Sequence, residues 1–178
     1  AGDLARSKEY YQEGLRYCDR LINTTTDQFT RDEAVVARSR TYLNIATVFF
    51  EGGDEGRARE LLELAWKDRS SVLEADDPQL LTIRDRMADL ELANGSLHKA
   101  RELVASYLVQ CERKWGKRSE EYVGACSKLG EIETRLGNHA VADSLLRISI
   151  EAGRAVMDSR TDVILVRTYQ RRAYLSSV

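Results

Sequence analysis

The sequence contains little proline, few cysteines and no long apolar run. Pro78 is the only proline among 178 residues, which is typical of a mostly helical chain because proline disrupts helix interiors. No run approaches the roughly 18 consecutive apolar residues that indicate a membrane-spanning helix, and no secretory signal opens the chain. We therefore expect a helical, cytoplasmic protein with no membrane segment. Since the sequence begins with Ala1 and stops within a helical pattern, we also expect it to be part of a larger protein.

Candidate catalytic and metal-binding residues are scarce. The three cysteines, Cys18, Cys111 and Cys126, lie in helical patterns without the spacing of a metal site. We interpret them as free thiols that pack in the core of a protein from a reducing compartment. The two histidines, His98 and His139, follow glycines at predicted turns and have no convergent partners. Because no set of acid, base and nucleophile emerges, the sequence predicts no enzyme, no metal site and no cofactor.

Glycines recur at a fixed interval of 42 residues, at Gly53, Gly95 and Gly137. Apolar residues spaced three and four apart lie on both sides of each glycine, which predicts helices. A large and a small apolar residue precede each glycine, and an alanine follows it; these positions are Ile45/Ala46, Met87/Ala88, Leu129/Gly130, Ala58, Ala100 and Ala142. The pattern predicts antiparallel helix pairs, each joined at a glycine in the left-handed conformation, with small residues where the axes approach closely.

This pattern resembles the tetratricopeptide repeat (TPR), whose helix pairs carry small residues at the same positions. The period of 42 residues exceeds the usual length of about 34 and is similar to that of the kinesin light chain subclass. The segment "VLEADDPQLL" matches the Asp-Pro turn of that subclass, and the resemblance covers residues 33–160. It implies an all-α fold, a superhelical solenoid of antiparallel helix pairs.

The period divides the chain into parts of one predicted domain. Three repeats are predicted, over 33–75, 76–117 and 118–160. An N-terminal helix of a partial repeat is predicted over 1–22, and a partial repeat or capping helix over 161–178. The polar stretch 23–32 between the first helix and the first repeat predicts a surface loop.

The C-terminal segment "VRTYQRRAY" departs from the repeat pattern. Arg171 and Arg172 stand where the repeat has a large and a small apolar residue, so we expect this helix to cap the array or to shift its register. Its arginines and tyrosines are also the ingredients of a surface that binds nucleic acid strands. The net charge of -2 argues against nucleic acid as the main partner.

The resemblance to TPR proteins also implies a binding wall, formed by six positions on the first helix of each repeat. In this sequence they are Arg40, Leu43, Asn44, Thr47, Phe50 and Glu51; Thr82, Asp85, Arg86, Asp89, Leu92 and Ala93; and Gly124, Ser127, Lys128, Glu131, Thr134 and Arg135. All except Ala93, Gly124 and Thr134 are predicted to contact a partner on a concave groove. The wall mixes four positive with four negative side chains, so the ligand preferences of chaperone-binding TPRs and of kinesin light chains do not carry over.

These features leave several functions open. The wall is either a solvated, self-neutralised face or a groove that binds a peptide or another protein through both charges and an apolar anchor near Phe50 and Leu92. We predict the groove, and hence a non-catalytic interaction module or scaffold. The alternatives are a structural segment that forms homo-oligomers through its terminal helices, part of a multidomain signalling or cytoskeletal complex, and nucleic-acid binding through the C-terminal helix.

Overall fold

The computed structural model describes residues 2–75, 77–156 and 159–177, and within them every regular element is an α-helix. Eight helices follow one another along these ranges: α1 (Gly2–Thr24), α2 (Gln28–Glu51), α3 (Glu55–Ser70), α4 (Pro78–Ala93), α5 (Leu97–Trp115), α6 (Glu120–Arg135), α7 (His139–Gly153) and α8 (Ser159–Leu175). The predicted all-α fold is confirmed. None of these helices is both long and apolar enough to cross a membrane.

The helices fall into two compact units, Ala1–Leu90 and Glu91–Val178. In the first unit, α2 packs against both α1 and α3. In the second unit, α6 packs against α5, α7 and α8, and α7 also packs against α8. Each unit therefore has one central helix, α2 or α6, which carries predicted wall residues, and α4 carries the remaining ones.

Each repeat glycine ends a helix as predicted. Gly53, Gly95 and Gly137 have φ angles of 78°, 72° and 82°, values that glycine adopts without the strain a Cβ atom would cause. The amide after each glycine donates to the carbonyl five residues earlier, at 2.8 Å for Asp54, 2.9 Å for Ser96 and 2.9 Å for Asn138. This is the Schellman hydrogen bond of a helix end. The three turns are thus equivalent in geometry as well as in sequence.

The predicted surface loop over 23–32 is wrong, because most of that stretch is helical. α1 continues to Thr24 and α2 begins at Gln28, so only residues 25–27 connect them. Asp27 is the reason: its carboxylate accepts a hydrogen bond of 2.7 Å from the Thr30 amide and caps α2. Hydrogen bonding from the Thr30 side chain, and then from its amide, lowers the pKa of Asp27. A polar stretch that resembled a loop is therefore the end of one helix and the capped start of the next.

Small residues allow the close packing inside each unit. In the first unit, Ala46 of α2 and Ala58 of α3 are buried together with Leu62 and Leu90. In the second, a Cβ atom on Gly130 of α6 would lie only 2.7 Å from the Leu146 side chain of α7. Helix axes approach closely where such side chains are small, so the small residues at these predicted crossings are explained.

The last helix packs through the two arginines that break the repeat pattern. Arg172 donates through Nε to Oδ1 of Asp143 on α7 at 2.8 Å. Arg171 donates to Oγ of Ser127 at 2.7 Å and forms an ion pair with Glu131, both on α6. Polar contacts thus replace the apolar ones that the repeat positions would otherwise make, which allows α8 to cover α6 and α7.

Candidate partner-binding surface

In the first unit, the predicted wall residues lie on α2 and α4, and each is at least partly accessible to solvent. The exposed ones are Arg40, Asn44, Phe50, Glu51, Thr82 and Arg86. The half-buried ones are Leu43, Thr47, Asp85 and Asp89. The structure therefore leaves every predicted contact of this unit available to a partner.

Four of these residues surround a small pocket, which we name the α2–α4 pocket. Thr47 and Phe50 come from α2, and Arg86 and Asp89 come from α4. Its remaining lining residues are Ala46, Ala58, Leu62 and Leu90. These four are the buried core residues where α2, α3 and α4 meet, so the pocket opens directly above the apolar core of the unit.

The rim of the α2–α4 pocket is polar and carries both charges. Arg86 and Asp89 are one helical turn apart on α4, so they lie on the same side of that helix. On the opposite side, the Thr47 hydroxyl donates to the Leu43 carbonyl at 3.1 Å. The hydroxyl proton is therefore already engaged in a hydrogen bond within α2. The pocket thus joins an apolar floor to one cationic and one anionic side chain, the combination that orients a ligand in a protein site.

In the second unit, the wall is partly covered by α8. Ser127 was predicted to contact a partner, but only 1% of its surface is exposed. The Arg171 guanidinium donates to its Oγ, and the Thr168 hydroxyl lies 2.7 Å from it. The prediction of Ser127 as a groove residue is therefore corrected: its hydroxyl is a packing contact between α6 and α8.

Beside this contact lies an open cleft between α6 and α8, which we name the α6–α8 cleft. Its lining residues are Glu131, Thr134, Arg135, Arg167, Gln170, Arg171 and Tyr174. Arg135 is oriented by a hydrogen bond of 3.2 Å to the Leu92 carbonyl. Three arginines against one glutamate give the cleft a positive balance, in contrast to the balanced rim of the α2–α4 pocket.

The remaining predicted residues of the second unit are partly accessible. Lys128 and Leu92 are half-buried, and they do not line the α6–α8 cleft. Leu92 was expected to form one apolar anchor with Phe50. Phe50 lines the α2–α4 pocket, whereas the Leu92 carbonyl accepts the hydrogen bond from Arg135 within the second unit.

Sequence reasoning missed the α8 residues of the cleft: Arg167, Gln170, Arg171 and Tyr174. One signal was present, since Gln170 lies one period of 42 residues after the wall residue Lys128. The sequence predicts a partial repeat or capping helix over 161–178, to which the wall pattern of the three full repeats does not extend.

Two arginines of α8 form ion pairs within the fold. Arg171 and Arg172 pair with Glu131 and Asp143. The Tyr169 hydroxyl accepts a hydrogen bond of 2.7 Å from Arg154. A surface that binds nucleic acid strands needs free cations and exposed stacking rings, and these pairings weaken that alternative.

The two thiols of the second unit are shielded from solvent. Cys111 and Cys126 are buried in an apolar cluster with Tyr122, and burial raises the pKa of Cys126 to about 11. A thiol with that pKa is protonated at neutral pH and is a poor nucleophile. Within the described ranges, no group of three or more His, Cys, Asp or Glu side chains is arranged to hold a metal ion.

Comparison with known proteins identifies the fold. No protein-family model matches the chain, and no curated protein sequence matches it significantly. Among solved structures, it is similar to BtubC (BKLC) from P. vanneervenii, with a TM-score of 0.78 and 16% identity over 98% of this chain and 68% of that one.

The chain is also similar to two structures of a putative kinesin light chain from Podosopora anserina with nearly identical TPR-like repeats. Their TM-scores are 0.60 and 0.59, each at 16% identity over 97% of this chain and 86% of theirs. At this identity the likeness concerns the fold alone. The chain has the TPR-like helical repeat fold, as its glycine spacing predicted.

Proposed function

We propose that this chain is a non-catalytic protein-interaction module that binds segments of another protein on the first helices of its repeats. Each unit offers one surface, the α2–α4 pocket in the first and the α6–α8 cleft in the second. The observation that carries the proposal is the α2–α4 pocket, where four predicted wall residues from two helices surround an apolar floor. Sites with apolar floors and a few convergent polar groups are the usual ligand sites of proteins.

The proposed module acts without a cofactor and in the cytoplasm. The fold supports a scaffold role, because solenoids of helix pairs present extended surfaces to their partners. The free thiols of Cys18, Cys111 and Cys126 support a reducing compartment.

Charge reversal on the wall tests the proposal. Proteins captured by the chain are identified, and the candidate partner is then purified and titrated by calorimetry against wild type, Arg86→Glu at the α2–α4 pocket and Arg135→Glu at the α6–α8 cleft. We expect each reversal to raise Kd about fivefold, because exposed charge pairs contribute up to about 1 kcal/mol each.

The matched control for these reversals is Arg16→Glu. Arg16 is also an exposed arginine within a helix, but it lies on α1 and lines neither the pocket nor the cleft. A partner whose affinity falls equally in the control responds to net charge alone. Affinity unchanged in both wall variants would contradict the proposed binding surface.

A second candidate function is self-association through the terminal helices. On α1, Tyr10, Tyr17 and Leu21 are exposed, and their spacing of seven and four places them on one face of the helix. On α8, Val163, Val166 and Tyr174 are exposed as well. End repeats of solenoids generally need polar outer faces to stay soluble, and these helices expose several large apolar side chains.

Light scattering distinguishes this second candidate. We expect the mass of the wild-type chain to rise with concentration if the faces associate, and Tyr17→Lys or Val166→Lys to restore the monomer. A monomer at all concentrations would exclude self-association and leave the partner-binding proposal intact.

A further inference from the structure

The α2–α4 pocket is small enough to discriminate between side chains. Its volume is about 40 Å³. An apolar cavity that binds benzene has about 150 Å³, so an aromatic ring does not fit below the rim of this pocket. The branched end of an aliphatic side chain is smaller than such a ring, so the size of the pocket favours it.

The floor favours carbon over polar groups. The side chains of Ala46, Ala58, Leu62 and Leu90 form it, and all four are buried. They offer no hydrogen bond, so a polar group placed there would lose its water without gaining a partner. The floor therefore selects an apolar tip, and the volume limits the size of that tip.

The rim indicates the surroundings of that side chain in the partner. Arg86 attracts a carboxylate, and Asp89 attracts an amino or guanidinium group, since opposite charges stabilise each other at a partly desolvated surface. Side chains alternate along an extended segment, so the neighbours of the anchor lie on its other face and reach these two rim residues only through long, flexible chains such as those of Glu and Lys. Charge complementarity thus favours an acidic and a basic neighbour on either side of the anchor.

We propose that the α2–α4 pocket accepts one branched aliphatic side chain, that of Val, Leu or Ile, from an extended partner segment with an acidic and a basic neighbour, and that it excludes aromatic rings. This inference rests on the proposed function, because it names the anchor for that same surface. It also goes further, since partner binding on the wall requires no particular anchor.

The test uses short blocked peptides as probes, with the sequences Gly-Glu-Xaa-Lys-Gly and Gly-Lys-Xaa-Glu-Gly, because the direction of the segment is open. Xaa is Ala, Val, Leu, Ile, Phe or Trp. Each peptide is titrated into the full chain while the backbone amide resonances of Thr47, Arg86 and Asp89 are followed by NMR. In one of the two orientations, we expect the Leu, Ile and Val peptides to bind about tenfold more tightly than the Ala and Trp peptides, given the gain from burying an aliphatic side chain.

A filled pocket provides the second measurement. Thr47→Leu places additional carbon at the rim and should remove the preference for Leu over Ala. The matched control is Thr41→Leu, because Thr41 also lies half-buried on α2 and its hydroxyl also donates four residues back, to Ala37 at 3.0 Å. Thr41 does not line the pocket, so this control should keep the preference.

The outcomes separate the two proposals. Trp or Phe binding as tightly as Leu, or no aliphatic preference, overturns the inference even when partner binding depends on Arg86. The same holds if no peptide shifts these resonances while the partner still depends on Arg86. If partner binding is insensitive to Arg86→Glu and no peptide binds, the proposed function fails together with the inference. The wild-type titrations decide the matter even if Thr47→Leu does not fold.

Discussion

The first and third helix pairs, α2–α3 and α6–α7, are joined by the same kind of buried hydrogen bond, but the serine that donates it lies on the first helix of one pair and on the second helix of the other. In the first pair, Ser39 on α2 donates to the Ala65 carbonyl on α3 at 3.0 Å. In the third, Ser149 on α7 donates to the Val123 carbonyl on α6 at 2.9 Å. Val123 and Ser149 lie two periods of 42 residues after Ser39 and Ala65. The crossing accepts one buried hydroxyl from either helix. The repeat therefore does not determine which helix carries the polar side chain.

The difference between the pairs is larger at a neighbouring contact. In the first pair, Arg38 forms two hydrogen bonds of 2.8 Å with the Asp68 carboxylate and one of 2.7 Å with Asp19 on α1. The bonds to Asp68 raise the pKa of Arg38 above its usual value. Two periods later, Tyr122 and Ala152 occupy the positions of Arg38 and Asp68. At this position an ion pair joins the helices of the first pair, whereas apolar packing joins those of the third.

The largest effect should come from breaking the ionic contact. We expect Arg38→Ala to lower the free energy of unfolding by about 3 kcal/mol, because it leaves the carboxylate of Asp68 buried without its main partner. The double variant Arg38→Tyr with Asp68→Ala copies the third pair and should recover most of that loss. Urea denaturation measures both variants. A double variant less stable than Arg38→Ala would show that the two pairs are not interchangeable.

A second test exploits the thiol that occupies the Tyr42 position in the third pair. Burial raises the pKa of Cys126 from 9.0 to about 11. Its contribution to stability is therefore complete below pH 9 and is lost as the pH rises towards 11, because the unfolded chain ionises first. We expect ionisation of this thiol to lower the free energy of unfolding by about 2 kcal/mol between pH 9 and pH 11. Denaturation between pH 8 and 11 should show a smaller decline for Cys126→Ala; equal declines would contradict the assignment.

The smallest effect tests the closeness of the helices in the third pair. Gly130 occupies the position of Ala46 in the first pair, yet a Cβ atom there would lie 2.7 Å from the Leu146 side chain. We expect Gly130→Ala to destabilise the chain by about 1 kcal/mol, since overpacking exceeds the gain in helix propensity.

The control for this variant is Gly124→Ala on the same helix. Its Cβ atom would lie 3.7 Å from Ile164, an ordinary contact, so this variant should stabilise the chain by about 0.5 kcal/mol. Thermal melting of both variants gives the comparison. Shifts of the same sign would show that Gly130 is not packed more tightly than Gly124.

Much of the fold was predictable, because local signals determine it. The glycines placed three helix ends correctly, since only a residue without a Cβ atom adopts their φ angles at little cost. The start of α2 was misjudged, because Thr24, Thr25 and Asp27 are favourable both in loops and at helix ends. Only the hydrogen bond from the Thr30 amide to Asp27 distinguishes the two cases.

Less of the candidate site was predictable. The wall positions identified Thr47, Phe50, Arg86 and Asp89, but their grouping around one pocket depends on how α2 and α4 pack. Ser127 occupies the wall position of Leu43 and Asp85, yet it is buried beneath α8. The repeat pattern describes the contacts within a helix pair, and the cover provided by a neighbouring helix is outside that pattern.

The sequence by itself determined the all-α class, the 42-residue period and the helix ends at the repeat glycines, because these depend on residues close together along the chain. Tertiary structure alone decided which wall residues are accessible. Arg171 and Arg172 joined α8 to acidic residues of α6 and α7, and the core left a small apolar pocket between α2 and α4. Both features depend on side chains that meet only after the helices have packed. The spacing of residues along the sequence does not indicate which side chains these are.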